Sequence, residues 1–423
     1  MKNVISLSIG ELRSFLVRYH YLDNYGRLSG KAGIKKLLRR IGSVQYDPLN
    51  VAGRNSDLVF QSRVQGYSSD ILEDLLYSKR ELVDGWDKEM SIYSTVDWPN
   101  FARIRKLRGE SARDVLRRRG QEEVLAFLPQ IIEEIKNRGP LSARDLKLGA
   151  TQKSRWGHRQ VSGAALDYLN LSGVLGVYKK NSAQKIYDLI GNLLPEKILN
   201  TSEPFTAEDA FYEWYFLRRI GSIGAYWRRN GPGWLGYFLT DASLRQKIFD
   251  TLEEKKLIVP IKVPELAAET RRTEGSLGRF SPPGINEFFY LRRKDLPLLN
   301  KKDGYDNIAR ILAPLDNMIW DRLMVQKVFG FQYTWEVYAP ENKRKYGYYV
   351  LPVLYQNNLI ARLEPVRYEK GKPFVIKNWW WEEVYEKSSA KEKRETKEAV
   401  LKGLENFAAY LGADGVDRKN ISI

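Results

Sequence analysis

The segment Gly42-Ser43-Val44-Gln45-Tyr46-Asp47-Pro48-Leu49-Asn50-Val51-Ala52-Gly53-Arg54 holds the residues best suited to chemistry. Side chains alternate along an extended chain, so an extended Gln-Tyr-Asp puts Gln45 and Asp47 on one side. An amide and a carboxylate two residues apart can bind one water between them, orient it and activate it as a nucleophile. The carboxylate can also stabilise positive charge developing on a sugar ring. As a bare pattern Gln-X-Asp recurs by chance, and a turn-and-cap cluster uses the same residue types.

The rest of the composition narrows the options. There is no cysteine, which removes disulfides, thiol nucleophiles and thiolate zinc sites. The two histidines, His20 and His158, cannot make a three-His metal site. His20 sits at the end of a helical pattern and reads as a capping or surface residue, and His158 needs no catalytic role. No metal and no cofactor is expected, and chemistry falls to carboxylates, amides, Lys, Tyr and Ser. Lys and Arg number 69 against 52 acidic residues, a net charge of +17 that favours a polyanionic partner. Nucleic acid fits best, bound through salt-dependent phosphate contacts. The 423 residues suggest two to four domains at about 150 residues each. The N-terminus lacks a secretory pattern, and no apolar run nears the ~18 residues of a membrane span. A cytoplasmic, nucleoid-associated protein is expected.

Gly/Pro-punctuated helical blocks precede a strand-rich part. A first helix is expected near Ser8, with Leu12, Phe15 and Leu16 at helical spacing. A second runs from Ser29 to Arg40, with Ile34, Leu37 and Leu38 inward and Gly42 as its stop. Val44 to Leu49 reads as extended. Glu122 to Lys136 carries an apolar stripe, a short helix follows at Ala143 to Leu146, and a third helix at His158 to Leu171. Val174 to Tyr178 and Gln184 to Leu189 alternate like a hairpin. This is the winged-helix order, with the third helix facing DNA. A similar order follows Thr206: helices at Asp209 to Arg219, Gly221 to Arg229 and Leu244 to Lys255, then a strand at Leu257 to Val263. Beyond Pro282, Phe331 to Val337 alternates as a strand, with Tyr346 to Leu354 as its hairpin partner. Leu359 to Leu363 and Pro373 to Trp380 extend a small barrel or curled sheet, and Ser388 to Tyr410 is a terminal helix.

Three further segments stand out. Arg155-Trp156-Gly157-His158-Arg159-Gln160 opens the expected recognition helix, where cations and amides suit phosphates and base edges. The alternative is a solvated helix start with Trp156 packed below. Lys343-Arg344-Lys345 beside Tyr346, Tyr348 and Tyr349 suits a nucleic-acid groove, or serves as a hairpin tip made basic for solubility. Trp379-Trp380-Trp381 cannot all face one side of a strand, so at least one is expected in the core.

At this point the residues resemble the winged-helix crosslink-repair DNA glycosylases, the YcaQ/AlkZ-like family. The match includes Val44-Gln45-Tyr46-Asp47, Asn50, Arg54, Leu58, Ser62-Arg63, Asp84-Gly85-Trp86, Met90-Ser91 and Asp97-Trp98-Pro99. It continues through Ala313-Pro314-Leu315-Asp316-Asn317-Met318-Ile319-Trp320-Asp321-Arg322, Phe329-Gly330-Phe331 and Tyr338-Ala339-Pro340. It ends in the specific run Arg344-Lys345-Tyr346-Gly347-Tyr348-Tyr349-Val350-Leu351-Pro352-Val353-Leu354. The resemblance implies an α+β chain of tandem winged-helix domains followed by a β-barrel-like C-terminal domain. The parts would be 1–120 with the Gln-X-Asp motif, 121–200, 201–285, and 286–423 with the terminal helix. It places Gln45 and Asp47 on the family's catalytic motif, in the Gln-X-Asp subgroup. The implied chemistry is hydrolysis of the N-glycosidic bond of N7-alkylated purines, interstrand crosslinks included, in double-stranded DNA.

Asn50, Arg54, Arg63, Trp86, Lys88, Arg159, Arg322, Lys343, Arg344 and Tyr346 are the expected DNA-facing residues. The sequence departs from its relatives at Lys88, where many carry His, and at Ser56-Asp57, where His is often paired. A monofunctional enzyme is expected, since a lyase needs a Lys amine at the sugar and only Lys88 is a remote candidate. A monomer is expected too, with no heptad or evident dimer helix. The alternative reading is a non-catalytic winged-helix transcriptional regulator, which would bind specific sequences without cleavage; a structural chromatin or RNA-binding protein is a third.

Overall fold

The computed structural model describes residues 4–146, 161–181, 183–266, 288–302 and 304–419. They are mixed α and β and divide into two compact units: Met1–Leu72 with Tyr212–Ile423, and Glu73–Phe211.

The first unit begins with the helix Ile9–Tyr19, started by a capping box of Ser8 and Glu11. Leu12, Phe15 and Leu16 are buried, as the spacing requires. The helix Gly30–Ile41 buries Ile34, Leu37, Leu38 and Ile41. It stops at Gly42, whose φ of 81° suits only glycine well. The strand Ser43–Gln45 and the helix Asn55–Gln61 follow. A four-stranded sheet has the order Ile5–Ser6, Ile258–Lys262, Phe289–Arg292, Ala225–Trp227. Its first pair is parallel and the others are antiparallel.

The helices expected at Asp209 to Arg219 and Gly221 to Arg229 are instead one helix, Glu208–Ile223, followed by the strand Ala225–Trp227. Gly221 is not a break. A Cβ there would lie 1.9 Å from the Arg292 guanidinium, so it is a point of close approach. The stop is Gly224, at φ 99° and packed on the Tyr19 ring.

A five-stranded sheet has the order Arg310–Ile311, Leu351–Tyr355, Asn358–Pro365, Phe374–Trp381, Val416–Asp417. The helix Ala390–Leu411 packs on it through Ala399, Val400, Leu404 and Phe407. The expected strand Phe331 to Val337 is not one. Phe331 and Tyr333 are buried and Gln332 and Thr334 exposed, yet among the described residues the segment joins no sheet, and it ends in a 3-10 turn, Glu336–Tyr338. Alternation reports an extended chain with one buried face; it does not guarantee a partner strand.

The second unit begins with a π-helical turn, Asp74–Ser78, and the hairpin Leu82–Trp86 and Met90–Ser94. Helices Ala102–Arg118, Leu128–Arg138 and Val161–Leu171 follow, then the hairpin Leu175–Asn181 and Gln184–Leu189. Leu116, Val124, Ile131, Ile135, Ala165, Leu169, Leu175 and Tyr187 form its core. Each large aliphatic side chain buried there stabilises the unit by roughly 1.5–3 kcal/mol. The stripe from Glu122 to Lys136 splits into a 3-10 turn, Glu122–Phe127, and the helix. Ala143 to Leu146 forms a turn instead of a helix. The expected start of the third helix, with His158 and Arg159, lies outside the described residues.

Candidate active site

The chain leaves Ser43–Gln45 in an extended run whose burial alternates. Val44 and Tyr46 are buried, Gln45 and Asp47 half-buried, Pro48 exposed. Asp47 Oδ1 accepts the Leu49 backbone N–H at 2.8 Å, closing a local turn. Burial raises the Asp47 pKa above its ordinary value, and the Leu49 hydrogen bond only partly offsets this. Asn50 Oδ1 accepts the Gly53 N–H at 2.9 Å, so this expected DNA contact is also the tie of a turn. Gly53 sits at φ 114°, and a Cβ there would fall 2.4 Å from the Tyr410 hydroxyl.

Two buried asparagines hold this strand by its backbone. Asn55 donates to the Gln45 carbonyl at 2.7 Å and accepts the Leu315 N–H at 2.9 Å. Asn317 donates to the Ser43 carbonyl at 2.9 Å. The loop that carries Leu315 and Asn317 is fixed in turn by Asp316, which accepts from Met318 N and from Arg63 at 2.8 Å. The run Pro314 to Asn317 therefore serves the candidate motif from more than 260 residues away. Asn55 and Asn317 are functional positions that no local sequence pattern points to.

Four expected assignments need correction. Arg63 is 0% exposed and also donates to the carbonyls of His20 and Val59 and to Ser62, so it cannot face a duplex. Arg322 donates to the carbonyls of Ile319 and Pro314, both at 2.7 Å, and lies over the Tyr333 ring; its guanidinium is spent inside the fold. Lys88, in the second unit, is buried at 7% exposure and presents no open cation. His20 occupies a helix C-cap position but is fully buried, its Nε2 2.8 Å from the Ile223 carbonyl. Burial pushes its pKa down to about 4.

Arg54, Trp86, Lys343, Arg344 and Tyr346 keep some accessible surface. Arg54 pairs with Asp57 through Nε at 2.6 Å, and Tyr67 donates to the same carboxylate. Tyr349 is buried, donates to the Gly53 carbonyl at 3.4 Å, and feels the Asp47 charge. Trp86, in the second unit, is half-buried with the Arg108 guanidinium 3.5 Å over its ring. Lys343 is exposed, while Arg344 and Tyr346 are half-buried. Arg344 donates to the Ala339 carbonyl, and Tyr346 packs edge-on to Trp380 under the Arg362 guanidinium. None of Trp379, Trp380 and Trp381 is fully buried, contrary to the expectation of a core residue. Trp381 stacks on Tyr385 at 3.7 Å, which shields it without burying it.

Among the described residues no group of His, Asp or Glu is placed to hold a metal ion, and no helix is long and apolar enough to cross a membrane. The sequence model of the family described as DNA glycosylase AlkZ-like matches residues 38–410. The fold is similar to that of the Streptomyces sahachiroi DNA glycosylase AlkZ, with a TM-score of 0.62 at 14% identity. That similarity covers 97% of this chain and 99% of the other.

Proposed function

The chain belongs to the AlkZ-like DNA glycosylases, and from that premise we propose that it hydrolyses the N-glycosidic bond of N7-alkylated purines, interstrand crosslinks included. That it is a DNA glycosylase acting on DNA follows from the family; the lesion and the residues are the proposal. Alkylation at N7 makes the purine a cation and a good leaving group, so no strong general acid is needed. Water held between Gln45 and Asp47 attacks C1′. The C1′–N9 electron pair passes to the purine and neutralises it, and the water proton passes to Asp47. Before that, the Asp47 carboxylate stabilises positive charge growing on the sugar.

The observation that carries this reading is that Gln45 and Asp47 are both half-buried while Val44 and Tyr46 are buried, with the Gln45 backbone pinned by Asn55. Such fixing is what a positioned nucleophile requires. We take the chain to consist of winged-helix modules over 1–120, 121–200 and 201–285 and a barrel-like domain over 286–423, and its partner to be double-stranded DNA. The helices and hairpin from Leu128 to Leu189 support the second of these. We take the enzyme to be a monomer, monofunctional and cytoplasmic.

A duplex carrying a nitrogen-mustard crosslink tests the proposal on a denaturing gel. Wild-type protein should unhook the strands and leave abasic sites, and Gln45→Ala should not. Borohydride should trap no protein–DNA adduct. Sequence-specific binding without unhooking would sink the hydrolytic reading in favour of a regulator.

A further inference from the structure

The lip from Trp335 to Tyr348 is held more firmly than an ordinary loop. The Glu336 carboxylate is buried and accepts three backbone N–H groups, those of Lys345 at 2.8 Å, Tyr346 at 2.9 Å and Gly347 at 3.2 Å. Arg344 Nε ties back to the Ala339 carbonyl at 2.9 Å. Gly347 has φ 151°, and a Cβ there would lie 2.4 Å from the Glu364 carboxylate, which itself accepts the Tyr348 N–H. At the tip of this frame stands Tyr338, 84% exposed. No other large hydrophobic side chain among the described residues is as open, so little of its surface is buried by folding.

We propose that Tyr338 is a wedge that enters the base stack of lesion-bearing duplex DNA and holds it open while the sugar sits at Asp47. Three features carry the assignment. The lip is already ordered, so little conformational freedom is lost when its ring inserts. Exposed Lys343 and Lys345 belong to the same lip, and phosphates flank every base step, so the lip offers charge and aromatic surface that match nucleic acid together. The lip is also tied to the turn after Asp47. Tyr338 packs against Trp335 at 5.9 Å between ring centres, Trp335 against Tyr349 at 6.4 Å, and Tyr349 donates to the Gly53 carbonyl. Apolar and aromatic wedges that unstack and kink a duplex are a recurrent way to open DNA. The inference rests on Gln45 and Asp47 being the hydrolytic pair.

The test uses full-length protein and a duplex with 2-aminopurine beside 7-methylguanine. In an Asp47→Asn background, which binds without cleaving, saturating protein should raise 2-aminopurine fluorescence. Tyr338→Ala in the same background should abolish the rise, and Tyr338→Phe and Tyr338→Trp should keep it. Lys343→Ala should weaken binding and lower the salt slope by about 1, with the rise intact at saturation. With Asp47 present, Tyr338→Ala should slow single-turnover base release from duplex about 10-fold or more, and leave release from single-stranded DNA unchanged. Equal fluorescence and equal duplex rates in Tyr338→Ala would overturn the wedge, as would loss of the rise in Tyr338→Phe. If wild-type protein releases no base, the hydrolytic reading fails while the fluorescence still decides Tyr338. If it releases base and Tyr338→Ala matches it in both readouts, only the wedge fails.

Discussion

Asp47 is held in tension between two influences. Burial disfavours its charge, and one backbone N–H favours it, with burial the larger effect. A general base acts when ionised, so kcat/KM should rise with pH through the elevated Asp47 pKa, placing the acid limb above 3.8. A pH–rate profile between 3.5 and 8 (roughly the range carboxylates span in proteins) checks this. A limb at or below the ordinary value would contradict it. The stability sign is opposite. A raised folded-state pKa stabilises the protein fully below the unfolded value, and that contribution is lost as pH rises through the folded value. At neutral pH Asp47→Asn, which keeps the acceptor for Leu49, should unfold at the same or a higher urea midpoint than wild type. Arg63 and Asp316 are a structural counterpart, both side chains 0% exposed and 2.8 Å apart. Asp316→Ala leaves the guanidinium buried without its partner and should cost about 3–5 kcal/mol in urea unfolding.

The strand Ser43–Gln45 has its geometry imposed from outside itself, by Asn55 from the following helix and Asn317 from a distant loop. Asn55→Ala should therefore lower kcat about 10-fold or more through misplacement of the motif, with DNA Kd nearly unchanged. Parallel single-turnover and anisotropy measurements separate the two effects, and an unchanged kcat would contradict the positioning role. Local elements with strong period and clear caps were legible in sequence. Ser8 with Glu11, and Ile34, Leu37 and Leu38 before Gly42, fix two helices by short-range rules alone. What was not legible depends on distant partners. Gly221 looks like a break until Arg292 lies against it, and Phe331 to Val337 looks like a strand until no partner arrives. Arg63 looks like a phosphate ligand until Asp316 and the His20 carbonyl meet its guanidinium, and Arg322 does so until the fold turns the upstream Ile319 and Pro314 carbonyls toward it.

The first unit joins Met1–Leu72 to Tyr212–Ile423, and pairings such as Ile5 with Ile261 exist only in three dimensions. No local pattern reports such closure, so the sequence suggested a linear run of parts. The alternating burial of Gln45 and Asp47 is nevertheless legible, because alternation is local, and residues 313–322, which carry part of the resemblance, contain the loop that holds the strand Ser43–Gln45. At this scale the dominant property is charge. With a net +17, duplex binding should weaken about 100-fold or more between 50 and 200 mM salt. The loss should be similar for undamaged sequences of any composition. Fluorescence anisotropy over that range measures it, and a flat response would refute phosphate-driven binding.

The proposed hydrolysis rests on one carboxylate and one amide activating one water. Release of free 7-methylguanine from duplex DNA, followed under single turnover at matched DNA occupancy, reads that step directly. Wild-type protein should release the base, and Asp47→Asn should bind the duplex equally but release none above the spontaneous rate. Release by Asp47→Asn at the wild-type rate would contradict the assignment.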